Sequence, residues 1–130
     1  MTQQSSDNAL AGKRVLVIED EALVTMLLED SLLEIGCEIA SQASRFQDAM
    51  AKANTLSFDV AILDVNLNDQ QTYPIAAALV ERGIPFVFAT GYGAANLPDL
   101  SRQAPVLRKP FRLRDLERAL RDAVGGFNLH

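Results

Sequence analysis

Thiol and imidazole are nearly absent from this chain of 130 residues, which carries one cysteine, Cys37, and one histidine, His130. A single thiol closes no disulfide and a lone terminal imidazole builds no His/Cys metal cluster, so a reducing, cytoplasmic setting is expected. Positive charge is also short. The net charge of −5 argues against nucleic acid, whose binding relies on Lys and Arg to neutralise phosphates. No apolar run approaches the roughly 20 residues that cross a bilayer; the longest are stretches such as Val15–Ile18 and Val60–Leu63, so no membrane partner is expected. Residues 1–12 are polar, without periodic apolar pattern or the apolar stretch of a signal peptide, and read as a flexible leader. Residues 13–126 read as one folded domain and 127–130 as a tail, with no repeat and no output module after residue 126.

Within that domain, apolar content of 48% and charge of 22% suit one buried core. Strand signals alternate with helix signals. Arg14–Ile18 is a β-branched apolar run, Glu38–Ser41 a weaker strand, and Asp59–Leu63, Pro85–Ala89 and Val106–Arg108 three more. Between them, Val24, Leu27, Leu28, Leu32 and Ile35 recur at helix spacing before Gly36. Phe46, Ala49, Met50 and Ala53 mark a second helix, and Pro74 opens a third that Gly83 closes. A short helix is expected around Ala94–Leu97. Leu113, Leu116, Leu120 and Val124 make the last one, ended by Gly125 and Gly126. Met26, Met50 and the phenylalanines read as core, and Cys37 as a small buried residue. Strands apolar on both faces predict a parallel sheet with helices on both sides. The expected fold is α/β, flavodoxin-like (βα)5, in strand order 2-1-3-4-5.

In such sheets ligands bind beyond the carboxyl ends of the strands. Polar residues stand there: Glu19, Asp20 and Glu21 after the first strand, Asp64 after the third, Thr90 after the fourth and Lys109 after the fifth. Crowded carboxylates repel one another unless a cation neutralises them. With only oxygen ligands at the rim, Mg²⁺ is favoured. The Lys109 amine and Thr90 hydroxyl suit a phosphoryl group beside the metal. Glu21 alone reads best as a helix cap.

Taken together, Glu19-Asp20, Asp64, Thr90 and Lys109-Pro110 resemble the motif set of response-regulator receiver domains, over roughly Lys13 to Val124. The resemblance implies a phosphoacceptor, not an enzyme, that takes a phosphoryl group onto Asp64 from a sensor histidine kinase or histidine phosphotransfer protein. It implies Asp20 as a direct Mg²⁺ ligand, Glu19 as an acid acting on the metal directly or through water, and the Asn66 main-chain carbonyl as a further ligand. Thr90 would bind phosphoryl oxygens. Lys109 would pair first with Asp64 and then with the phosphoryl group, and Lys109-Pro110 would be cis. The stretch from Pro85 to Tyr92 is similar to the Phe-Ala-Thr-Gly-Tyr signature of a subgroup of receivers, often single-domain, whose output is a changed protein contact or a diverted phosphoryl flow.

Some features depart from the family pattern. Glu19 stands where Asp is usual, Asn66–Thr72 lacks the common Pro and Gly, and Val106 occupies the place of the aromatic switch. Thr90, with Tyr92 between the permissive Gly91 and Gly93, is the expected switch instead. Two other functions fit parts of the pattern: a receiver-like binding module that is not phosphorylated, and a Mg²⁺-dependent phosphohydrolase. The latter usually needs a second acid where Asn66 stands.

Overall fold

The computed structural model describes residues 9–91 and 104–126. Its parallel sheet consists of β1 (Arg14–Ile18), β2 (Glu38–Ala43), β3 (Val60–Asp64), β4 (Phe86–Thr90) and β5 (Val106–Arg108). The spatial order is β2-β1-β3-β4-β5, every pairing parallel, the expected 2-1-3-4-5. Four helices accompany it among the described residues: α1 (Ala22–Ile35), α2 (Phe46–Thr55), α3 (Tyr73–Arg82) and α4 (Leu113–Val124). The helix expected at 94–97 lies outside the described residues, as does the 127–130 tail.

Period-two alternation along the strands divides the core in two. Leu16, Ile18, Ala61, Leu63, Phe86 and Phe88 pack with α2 and α3 on one face, while Val15, Val17, Val60, Ile62, Val87 and Ala89 pack with α1 and α4 on the other. The three central strands β1, β3 and β4 are thus buried on both sides, which is why their sequences run apolar almost without interruption. Packing begins earlier than Lys13: Leu10 is fully buried in the α1/α4 layer, and the Gly12 amide donates to the Gly36 carbonyl at 2.8 Å.

Gly36 and Gly83 end α1 and α3 in the left-handed region, at φ 107° and 71°. Their amides satisfy the carbonyls that the last helical turn leaves open. Pro74 is the second residue of α3, after Tyr73, with Thr72 at the N-cap. On α1 two expectations fail: Met26 is 59% and Leu27 50% exposed, and Leu23 beside them is 79% exposed. Thr25, Leu28, Ser31 and Leu32 make the buried stripe instead. Apolar side chains outnumber the positions that one helix face can bury, so hydrophobicity alone does not tell which turn inward. Cys37 is buried, and burial pushes its thiol up to about 11, away from reactivity.

The contrast predicts two stabilities. Phe88→Ala, which empties a fully buried site, should cost about 3–5 kcal/mol in chemical denaturation. Met26→Ala should change stability by about 0.5 kcal/mol or less.

Candidate functional site

Four strand ends converge at the carboxyl rim because β1 lies beside β3, β3 beside β4 and β4 beside β5. Glu19 and Asp20 follow β1, Asp64 is the last residue of β3, Thr90 the last of β4, and Lys109 follows β5. Asp20, Asp64, Thr90, Lys109 and Asn66 line one open cleft of about 730 Å³, with Glu21, Val24 and Leu27 of the α1 end on one wall. Glu19, Asp20 and Asp64 each bring a carboxylate oxygen within 4.8 Å of the others.

The Lys109 ammonium sits between two of these acids, 2.8 Å from Glu19 Oε1 and 3.2 Å from Asp64 Oδ2. The longer arm of Glu19 thus shares the lysine that was expected to pair with Asp64. The Glu21 amide donates to Glu19 Oε2 at 3.1 Å, and the Asn66 amide to Asp64 Oδ1 at 3.1 Å. Glu21 occupies the α1 N-cap position without a side-chain cap hydrogen bond, so its main chain, and not its expected cap, serves the site.

Charge is undercompensated here. Burial raises the Glu19 carboxyl to about 7, the Lys109 hydrogen bond only partly opposing it and the Asp64 charge adding to it. Burial likewise raises Asp64, against the pull of Lys109 and the Asn66 amide. For Lys109, burial favours the neutral amine, but the Glu19 hydrogen bond and the Asp64 charge outweigh it, and the ammonium is held above the ordinary lysine range. Two buried acids driven toward protonation beside a third, with oxygen donors only, fit a hard divalent cation.

After β3 the chain makes a two-stranded hairpin, Asn66–Leu67 against Gln70–Gln71. Its tip residues Asn68 and Asp69 have φ of 50° and 66°, a left-handed pair that Asn and Asp tolerate better than most residues and that fits a tight hairpin. The Asn68 amide donates to Asp20 Oδ2 at 2.9 Å and its side-chain amide to the Ser44 carbonyl at 2.8 Å. At the base, the fully buried Thr72 hydroxyl donates to the Asp64 carbonyl at 2.6 Å. Neither residue stands out among the acids and the lysine. The Asn68-Asp69 dipeptide was the available signal for this turn.

The Lys109-Pro110 peptide is cis. Thr90 is buried, and its carbonyl accepts from the Lys109 amide at 2.8 Å. Val106 pairs in register with Phe88 and packs half-buried against the core. Tyr92 lies outside the described residues. No described helix is long and apolar enough to cross a membrane.

Residues 15–121 match the family described as the response regulator receiver domain. The chain is 33% identical over 132 residues to the transcriptional regulatory protein PdtaR of Mycobacterium tuberculosis, covering 98% of this chain and 64% of that protein's length. It is 38% identical to the solution structure of SdrG from Sphingomonas melonis Fr1, at a TM-score of 0.75, covering 84% of this chain and 93% of that one. The BeF3-activated conformation of SdrG, from Pseudomonas melonis Fr1, matches at 37% identity and a TM-score of 0.75, covering 88% and 98%. Members of this family are generally phosphoacceptors of two-component systems and not enzymes. With the family match spanning both core layers and every rim residue from Glu19 to Lys109, the chain belongs to the response regulator receiver domain family.

Proposed function

We propose that this domain accepts a phosphoryl group on Asp64 from a sensor histidine kinase or histidine phosphotransfer protein and signals through a changed protein contact or diverted phosphoryl flow. The observation that carries this reading is the Asp64 carboxylate at the cleft, within reach of the Lys109 ammonium and beside Glu19 and Asp20. In transfer, an Asp64 oxygen bonds to phosphorus while the donor's P–N bond, or the P–O bond of acetyl phosphate, breaks and its electron pair leaves with the donor. Lys109 supplies positive charge beside the incoming phosphoryl oxygens, and the Thr90 hydroxyl a donor to one of them. Asp20, Glu19, Asp64 and the Asn66 carbonyl would hold Mg²⁺. That ion, when bound, offsets charge on the carboxylates and the phosphoryl group.

The similarity to a receiver captured in a BeF3-activated conformation supports an activation step on this domain, and Val106 in place of an aromatic favours a switch based on Thr90 and Tyr92. A cytoplasmic setting is part of the same reading. The exposed Leu23, Met26 and Leu27 lie on the helix that opens beside Asp20, and α1 neighbours α4 on one face of the sheet, so a histidine donor is proposed to dock there. Asn66 at the position of a second acid disfavours the phosphohydrolase.

Incubation with acetyl phosphate and Mg²⁺ should add one phosphoryl group, seen by intact mass, and chelation of the metal should stop it. Asp64→Asn should remove the label, and Lys109→Met should slow labelling about 100-fold; an Asp64→Asn variant labelled like the parent sinks the assignment. Met26→Asp should slow transfer from the cognate histidine donor about tenfold while leaving acetyl phosphate labelling within about twofold; equal slowing with both donors refutes docking on α1.

Stability should carry the mark of the raised acids. Glu19 titrates near 7 in the folded domain against 4.5 as a free side chain, and Asp64 is shifted in the same direction. Folding therefore takes up protons across that window, so metal-free protein should gain thermal stability as pH falls from about 8 toward about 5. That contribution should be lost as pH rises through 7. Mg²⁺, which needs the ionised acids, should raise the melting temperature more at about pH 8 than at about pH 5. A metal increment independent of pH would contradict a site built on Glu19 and Asp64.

A further inference from the structure

The hairpin that follows Asp64 touches the acidic cluster at both of its ends, and resting on the phosphoacceptor reading above, we propose that it is a positioning brace: Thr72 fixes the Asp64 main chain and Asn68 orients the Asp20 carboxylate. Neither residue touches the transferred group in this assignment. Each acts through a carboxylate that does the chemistry or holds the cation.

At the base, Thr72 is fully buried at the α3 N-cap. Its hydroxyl has one proton to give, and the Asp64 carbonyl at 2.6 Å is a closer acceptor than the Val65 carbonyl at 3.2 Å. Its amide donates to the Val65 carbonyl at 3.0 Å, and its own carbonyl accepts from the Ile75 and Ala76 amides at 2.9 and 3.0 Å. The end of β3 is thereby tied to the first turn of α3. A carboxylate on a strand's last residue has the ladder on one side only, and the Thr72 hydroxyl adds a second constraint on the same peptide unit. Valine has nearly the same shape as threonine and lacks only that donor, whereas serine keeps it.

At the tip, Asn68 links two other strand ends. Its main-chain amide holds Asp20 Oδ2, after β1, and its side-chain amide holds the Ser44 carbonyl, after β2. The left-handed φ of 50° at Asn68 belongs to the turn that presents the amide to Asp20. With Oδ2 engaged, the direction of the second Asp20 oxygen is set relative to Glu19 and Asp64. Glycine at this position keeps the φ and the main-chain donor but deletes the Ser44 anchor, leaving the tip free to swing. Mispositioning by about 1 Å is enough to cost large factors in rate.

The test compares parent, Thr72→Val, Thr72→Ser and Asn68→Gly for labelling rate from acetyl phosphate at saturating Mg²⁺, and for Mg²⁺ Kd by amide chemical shifts, with folding checked by circular dichroism. Thr72→Val should label about tenfold more slowly with Kd within about twofold of the parent, and Thr72→Ser should recover to within about threefold. Asn68→Gly, at an exposed tip, should raise the Mg²⁺ Kd about three- to tenfold. A folded Thr72→Val labelled at the parent rate, no recovery in Thr72→Ser, or an Asn68→Gly with parent Kd overturns the brace. A parent that binds Mg²⁺ but never labels overturns the phosphoacceptor reading instead, and the Asn68→Gly Kd then decides the brace.

Discussion

One ammonium group holds the rim together. Lys109 reaches from the end of β5 across β4 to acids at the ends of β1 and β3, 2.8 Å from Glu19 and 3.2 Å from Asp64. Both acids are almost wholly buried, and buried carboxylates without a partner would protonate or push apart. The sheet order requires them to be neighbours. One cation for several acids is a partial answer: burial drives Glu19 and Asp64 toward protonation, and the shared Lys109 opposes it only in part. Three carboxylates gathered within 4.8 Å give the rim a donor set that suits a hard divalent ion.

The two core layers are what make such crowding sustainable. Strands buried on both faces by Val15, Val17, Ile62, Val87 and their opposite-face partners Leu16, Ile18, Leu63 and Phe88 leave little freedom at their ends. A rim built on stiff strands can keep like charges close, where loops would relax by separating them. The cost of the acidic cluster is carried by apolar burial elsewhere in the same sheet.

Substitutions relative to the family pattern have local physical consequences. Glutamate at position 19 extends one methylene farther than aspartate, so its oxygens reach both Lys109 and the Glu21 amide. The absence of Pro and Gly after Asp64 is met by Asn68 and Asp69, which accept left-handed backbone. Val106 fills its place against Phe88 without an aromatic ring.

Periodicity alone determined the α/β class and the parallel sheet, because runs such as Val60–Leu63 are apolar at consecutive positions and alternate with helix-spaced segments; the strand order came from the flavodoxin-like arrangement that five such units fit. Polar residues at strand ends, Asp64 and Lys109 above all, marked the rim for the same reason: they interrupt an otherwise apolar pattern. Tertiary structure decided what pattern cannot encode. Which apolar residues of α1 face inward, leaving Met26 and Leu27 in solvent, depends on where the sheet lies beneath the helix. That Lys109 leans closer to Glu19 than to Asp64 depends on distances between residues 90 and 45 positions apart. That Asn68 and Thr72 belong to the site at all follows from the Asn68 main-chain amide reaching Asp20 and the Thr72 hydroxyl reaching the Asp64 carbonyl, contacts that exist only once the hairpin folds back over the rim.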